Sequence, residues 1–497
     1  MSICLILALS LITGNPQIQF VNLRTGDQIR YPVALLRGLA NDGRIYVVNP
    51  QDPSADGRNT GRVVNKRFRL LVELVPGVNH LRVSDGTSQA SLDLVYKPIA
   101  SMYKVNVIYL TASDGDTFYI TQNLNDKQNY REKLDTAAKL MQTLTAESLN
   151  DSGFGRKTFP LDLDSSGHVR VRTLKYPATA DQLRTKTGNE LYDLIYPWLG
   201  KQGLFNHQKN IVVMAFSRYD PDTKRAFAHI AWGGGDMGLF SSLSMCGWPD
   251  SIRDVERAFS DSTPLDPKVL YDDSMGRSNM WGLASTGLGA VIHELGHTFV
   301  GAEHSGDPES IMSRGFDHFN RFFLPAEAPS HLDPSEFVFA DGQVIHWDPY
   351  NASLLSCDRF FQPDPRRFQD DLPPRIYFDW DTNEIVAAAP NGIKLLHLWK
   401  QTDPPSHTVF KLFKELPKVI RFGRSELRDM LNAPEGAAIH ITDGEGQVFS
   451  VNEGAYKTRA DLPPITSVEY AAKLRKFVDG LHGAKTVTWS HQSDLRR

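Results

Sequence analysis

Cysteine is scarce in this chain, with three in 497 residues: Cys4, Cys246 and Cys357. That excludes a disulfide scaffold, and no two of them have the close spacing of a cysteine-based zinc site. No apolar run is long enough to cross a bilayer; the longest, Ile3 to Ile12, is too short. Long basic runs are also missing and the net charge is −4, which argues against nucleic acid or an anionic membrane as the main partner. Repeats and low-complexity tracts are absent. What remains is an ordinary composition, 41% hydrophobic and 23% charged, in a chain too long for one core. About two to four domains are expected.

The first apolar run reads as a signal-peptide core, so residues 1–15 are assigned to a leader removed ahead of Asn15. No Lys or Arg precedes it, and the competing reading is a buried first strand or a misplaced start. Export follows from the first reading and a cytoplasmic location from the second. Loss of the leader removes Cys4 and leaves Cys246 and Cys357 as one conceivable pair. Asn150-Asp151-Ser152 and Asn351-Ala352-Ser353 match the glycosylation pattern, but such matches arise by chance in a chain of this length.

Residues 16–100 read as all-β. Short apolar runs such as "RIYVVNP", "FRLLVELV" and "ASLDLVYK" alternate with Gly, Asp, Asn and Pro turns, as in an immunoglobulin-like sandwich. From residue 101 the period changes. A strand, "YKVNVIYLTA", precedes a helical stretch in which Leu134, Ala138, Met141, Leu144 and Ser148 share a face. A second helix and the strands "NIVVMAF" and "AFAHIAW" follow, giving a domain of helices and a mixed sheet over 101–330. Residues 331–374 are rich in Pro and Asp and read as a connecting and packing segment. Residues 375–497 read as a C-terminal β-rich domain, sandwich-like in pattern, with a terminal helix, "SVEYAAKLRKFVDGLHG".

The chemistry lies in "VIHELGHTFVGAEHSGDPESIM", residues 291–312. Leu288, Val291, Ile292, Leu295 and Phe299 form a helical stripe, and Ser285 or Thr286 can cap its start. His293 and His297, four apart, leave one face of that helix and can share an ion. Glu294 points to the side of that face, where it can act on a water without being a ligand. His304 follows Gly301 by three residues, and Met312 lies eight residues further on.

These residues resemble the zinc site of the metzincin peptidases, matrixins in particular, whose pattern is HExGHxxGxxH followed by a methionine turn. The chain is also similar to an uncharacterised group of zinc metalloproteinases. The resemblance implies an α+β zincin-like catalytic domain, a mixed sheet with an active-site helix, flanked by two all-β sandwich-like domains. It implies one zinc per chain on His293, His297 and His304. It further implies Glu294 as general base on a metal-activated water, and Met312 as a hydrophobic floor. The substrate would be a peptide or protein paired along an edge strand near His229, Ala231 and Gly233. The departure is one extra residue: position ten after His293 is Glu303, not His304. Either the helix runs through Val300 and turns at Gly301, making His304 the ligand, or Glu303 ligates; the glycine favours His304. "CGWPD", Cys246 to Asp250, looks like the cysteine switch of matrixin propeptides. It lacks the preceding Arg and sits inside the domain, so it is read as coincidence. The rival functions are a binding or adhesion protein with a non-catalytic site, and hydrolysis of a non-peptide amide.

Overall fold

The computed structural model describes residues 18–53, 58–299, 302–362, 373–379, 382–400, 406–431 and 437–452. The apolar run Ile3 to Ile12 and the expected terminal helix lie outside the described residues. The architecture is mixed α and β, with several sheets. Among the described residues no helix is long and apolar enough to cross a membrane.

The N-terminal strands hydrogen-bond into one continuous, curled sheet of eight strands. Its inner face carries its own core, including Ala34, Leu36, Leu70 and Val72. Strand residues alternate between faces, so Val33, Leu35 and Leu71 emerge on the other side, where they join the main core of the molecule. The element they meet is the helix Tyr130–Asp151, buried on nearly every side because it lies between this sheet and the next. Its Glu147 is fully buried. It accepts hydrogen bonds from Tyr31 Oη at 2.5 Å, Arg156 Nε at 2.7 Å and Asn22 Nδ2 at 2.9 Å. A buried carboxylate is tolerated only when its oxygens are satisfied in this way.

The central sheet has five strands in the order Val171–Lys175, Lys104–Thr111, Gln208–Met214, Met237–Ser241, Ala231–Gly234. The first four are parallel and the edge strand Ala231–Gly234 runs antiparallel to its neighbour. The helix Met280–Gly296 packs under this edge. Its cap is Asn279, whose side chain accepts the Gly282 N–H at 2.9 Å, not Ser285 or Thr286. Those two lie buried inside the helix, and Ser285 Oγ donates to the Asp317 carbonyl. Burial of Met280, Trp281, Leu283 and Ala284 extends the helix upstream of the stripe seen in the sequence.

The segment read as connecting does more than connect. Phe339, Ile345, Trp347, Leu355 and Phe361 all lie in the main core. Its helix Pro349–Cys357 then packs on the C-terminal domain through Tyr350, Leu354, Leu395 and Phe410. That domain holds a three-stranded and a four-stranded sheet, and residues from both, such as Ile376, Ile420, Leu396 and Ile439, share one core. A helix absent from the sequence reading, Arg424–Leu431, packs there with Leu427 and Leu431. Cys246 and Cys357 are both buried and unpaired.

Candidate metal centre

The site forms where the helix Met280–Gly296 ends. His293 sits in its last turn and His297 is its C-terminal cap. Beyond it the hydrogen bonds tighten to the three-residue step, Thr298 N–H to Leu295 O and Phe299 N–H to Gly296 O. The regular helix therefore stops before Val300, earlier than the extended route proposed for the extra residue. Val300 and Gly301 themselves lie outside the described residues. The chain returns with His304 beside the other two imidazoles. His297 Nε2 is 3.3 Å from His293 Nε2 and 3.2 Å from His304 Nε2. Among the described residues these three form the cluster able to hold a metal ion, with ligand atoms all within 4.8 Å of one another; Glu303 is not in it.

The spacing can be tested against zinc. Ligands about 2.0–2.1 Å from an ion at tetrahedral angles stand about 3.3 Å apart. The two shorter nitrogen separations match that value, so the three residues fit the ion. The other ring nitrogens are held as metal-bound histidines require. His293 Nδ1 donates to the Ile311 carbonyl at 2.7 Å, and His297 Nδ1 reaches the Ala302 carbonyl at 3.3 Å. Burial lowers the pKa of His293 to about 4, against the pull of the Ile311 carbonyl, and burial also lowers His297. Both imidazoles are neutral at pH 7, the form that binds metal.

Glu294 leaves the helix towards the edge strand. Burial raises its pKa to about 7, and the Gly233 N–H, donating to the carboxylate, partly offsets this, as does His304. Gly233 is required here: a Cβ would stand 2.0 Å from the Glu294 carbonyl oxygen. Tyr192 braces the same strand, its hydroxyl donating to Gly234 O at 2.8 Å. Below the histidines, Met312 is fully buried. The glycine between the histidines, Gly296, lets it approach, since a Cβ there would meet Met312 Sδ at 2.7 Å and Trp347 at 2.9 Å.

With this geometry in hand, the comparisons decide the family. A family model described as "Putative peptidase family" matches residues 17–384. The chain belongs to that family. Its relatives include a "Putative zinc metalloproteinase" of Schizosaccharomyces pombe, 26% identical over 378 residues, which cover 69% of this chain and 60% of the relative. Another of the same description, from Saccharomyces cerevisiae, is 26% identical over 359 residues, covering 64% and 51%. The chain thus spans little more than half the length of these relatives. Among solved structures, catalytically inactive OgpA from Akkermansia muciniphila, in complex with an O-glycopeptide substrate, aligns with 71% of this chain and 92% of its own at 14% identity and a TM-score of 0.43.

In this member of the peptidase family, the other residues singled out in the sequence fall as follows. Ala231 and Gly233 lie on the edge strand; His229 precedes it by two residues and is turned to Ser241 Oγ at 3.1 Å and the Tyr271 ring. Trp232, between them, is 51% exposed. Arg314, two residues after the methionine, pairs with Asp317 at 2.8 Å and lies over Phe316, whose ring touches His293. Asp307 binds His346 Nε2 at 3.0 Å, and His318 binds Glu327 at 3.0 Å. Cys246 is inert at neutral pH, its thiol pushed up to about 12 by burial. Tyr192, His346 and Trp347 were not foreseen, because each comes from a segment with no motif of its own, and Asn351 was noted only for an Asn-Ala-Ser match that says nothing of this site.

Proposed function

We propose that this chain is a zinc-dependent endopeptidase, with His293, His297 and His304 holding the ion and Glu294 acting as general base. The observation that carries the reading is the triad of nitrogens at zinc-ligand spacing beside a half-buried carboxyl that no lysine or arginine neutralises among the described residues. Bound there, zinc would supply Lewis-acid polarisation of a peptide carbonyl and make the attacking water more acidic. Glu294 takes the proton from that attacking water and delivers it to the leaving amine. A carboxyl whose pKa lies near the working pH suits both transfers. The Gly233 N–H holds the carboxylate beside the edge strand.

Substrate lies extended along Ala231–Gly234, the end of the central sheet, adding one more strand through main-chain hydrogen bonds. We read the central domain as metzincin-like and the flanking β-domains as sandwich-like. Export through Ile3 to Ile12 belongs to the same reading; the N-terminal sequence of the mature protein tests it. The binding-module alternative has no use for an unneutralised, half-buried glutamate, a costly group to keep. The deciding experiment is cleavage profiling on a proteome-derived peptide library. Wild type should cut and lose activity to a chelator, and restoring zinc should restore it. A wild type inert towards every peptide, with or without zinc, would sink the peptidase reading.

A further inference from the structure

The extra residue in the motif raises a question the histidines alone do not answer: why His304 enters the site when Glu303 occupies the usual position. We propose that Asn351 makes that choice. It is a positioning residue that clamps the backbone of Glu303 so that the next side chain, His304, becomes the third ligand. This rests on the zinc reading above.

Residues 302–305 form no helical turn, so nothing in local secondary structure fixes which side chain faces inward. Asn351 supplies the missing constraint. Its Oδ1 accepts the Glu303 N–H at 3.0 Å, and its Nδ2 donates to the Glu303 carbonyl at 3.0 Å. A primary amide that binds both main-chain groups of one residue imitates a strand partner and fixes both flanking peptide planes. The clamp is itself rigid. Asn351 is fully buried in the first turn of the helix Pro349–Cys357, and its second Nδ2 hydrogen goes to Asp348 Oδ2 at 2.8 Å. That same oxygen accepts Ser310 Oγ at 2.7 Å, and Ser310 Oγ in turn accepts the Met312 N–H at 3.0 Å. One chain of hydrogen bonds therefore ties Glu303, the residue before the third ligand, to the methionine turn. It also removes Asn351 from any role as a glycosylation acceptor in the folded protein, despite the Asn-Ala-Ser match.

The test uses the full chain. Asn351→Asp keeps the acceptor for the Glu303 N–H but loses both donated bonds. Zinc affinity, measured by chelator competition, should fall about ten- to a hundredfold. The visible spectrum of the cobalt-substituted protein should change from that of a three-nitrogen site. Adding Glu303→Ala should lower metal affinity further in the Asn351→Asp background but not in wild type, since only a released Glu303 competes for the ion. A merely structural role would not couple the two positions. Wild-type affinity and spectrum in a folded Asn351→Asp protein would overturn the inference. If that variant does not fold, hydrogen exchange on the zinc-free wild type decides: the Glu303 amide should be protected, and exchange at the open-chain rate would overturn it. Failure of the zinc reading looks different, because wild type itself would then bind zinc no better than His293→Ala.

Discussion

Two glutamates near the site helix, Glu327 buried and Glu294 half-buried, have opposite fates. Glu327 is gripped by His318 Nδ1 at 3.0 Å and Arg321 Nη2 at 2.8 Å. Burial alone would raise its pKa, but these partners hold it down to about 2. Glu294 meets one backbone N–H and the field of His304, and burial wins, raising it to about 7. The same side chain is a fixed charge in one place and a titratable group in the other. The difference is whether a cation was provided. Glu327 ties the chain around Glu327–Phe337 to the site helix's neighbours, and Glu294 is left able to exchange a proton.

The sharpest test of this contrast is Glu294→Gln. Peptide cleavage should fall by about 10²–10⁴-fold with zinc content and melting temperature unchanged. A variant as active as wild type would remove Glu294 from the chemistry. Next comes the third ligand. His304→Ala should weaken zinc binding more than a hundredfold, beyond what outer partners cost, while Glu303→Ala should leave it near wild type; the reverse order in chelator titrations would hand the position to Glu303. Glu327→Gln should do what Glu294→Gln does not. It removes the carboxylate from a buried charged pair, costing about 3 kcal/mol, read as a lower denaturation midpoint with zinc still bound. The smallest effect is in acid. Because the folded pKa of Glu327 lies below its ordinary 4.5, its contribution is complete above pH 4.5 and is lost as pH falls towards 2. About 2 kcal/mol of stability should disappear between pH 7 and pH 3 through this group. An acid titration in which Glu327→Gln loses as much stability as wild type would show that the pair is not responsible.

The histidines and Glu294 were legible because their geometry is local: four residues on a helix fix a face, whatever surrounds it. The strands of the N-terminal and C-terminal regions were legible for a similar reason, through alternation and turn residues. The helix start was misplaced because buried Trp281 and Leu283 precede the stripe and Asn279 looks like any loop residue. Asn351, Trp347 and Tyr192 were invisible for a different reason. They act across forty or more residues, and a buried polar residue carries no mark in sequence of what it binds. For Asn351 the one visible pattern, Asn-Ala-Ser, is of a kind that arises by chance and says nothing of the contact it makes.

The double-faced N-terminal sheet also bears on how the chain is made. Its strands are complete once Tyr96 has emerged, yet Val33, Leu35 and Leu71 wait for the helix that ends at Asp151. At ordinary rates of synthesis that interval lasts roughly 3 to 11 s. Throughout it a newborn sheet shows an oily flank to the cytosol or the translocation machinery, and Tyr31 and Arg37 have no Glu147 to greet them. The glutamate reaches a seam opened more than a hundred residues earlier, and Arg156 closes it nine residues later. That apolar flank is thus open to solvent before any part of the metal site has been translated.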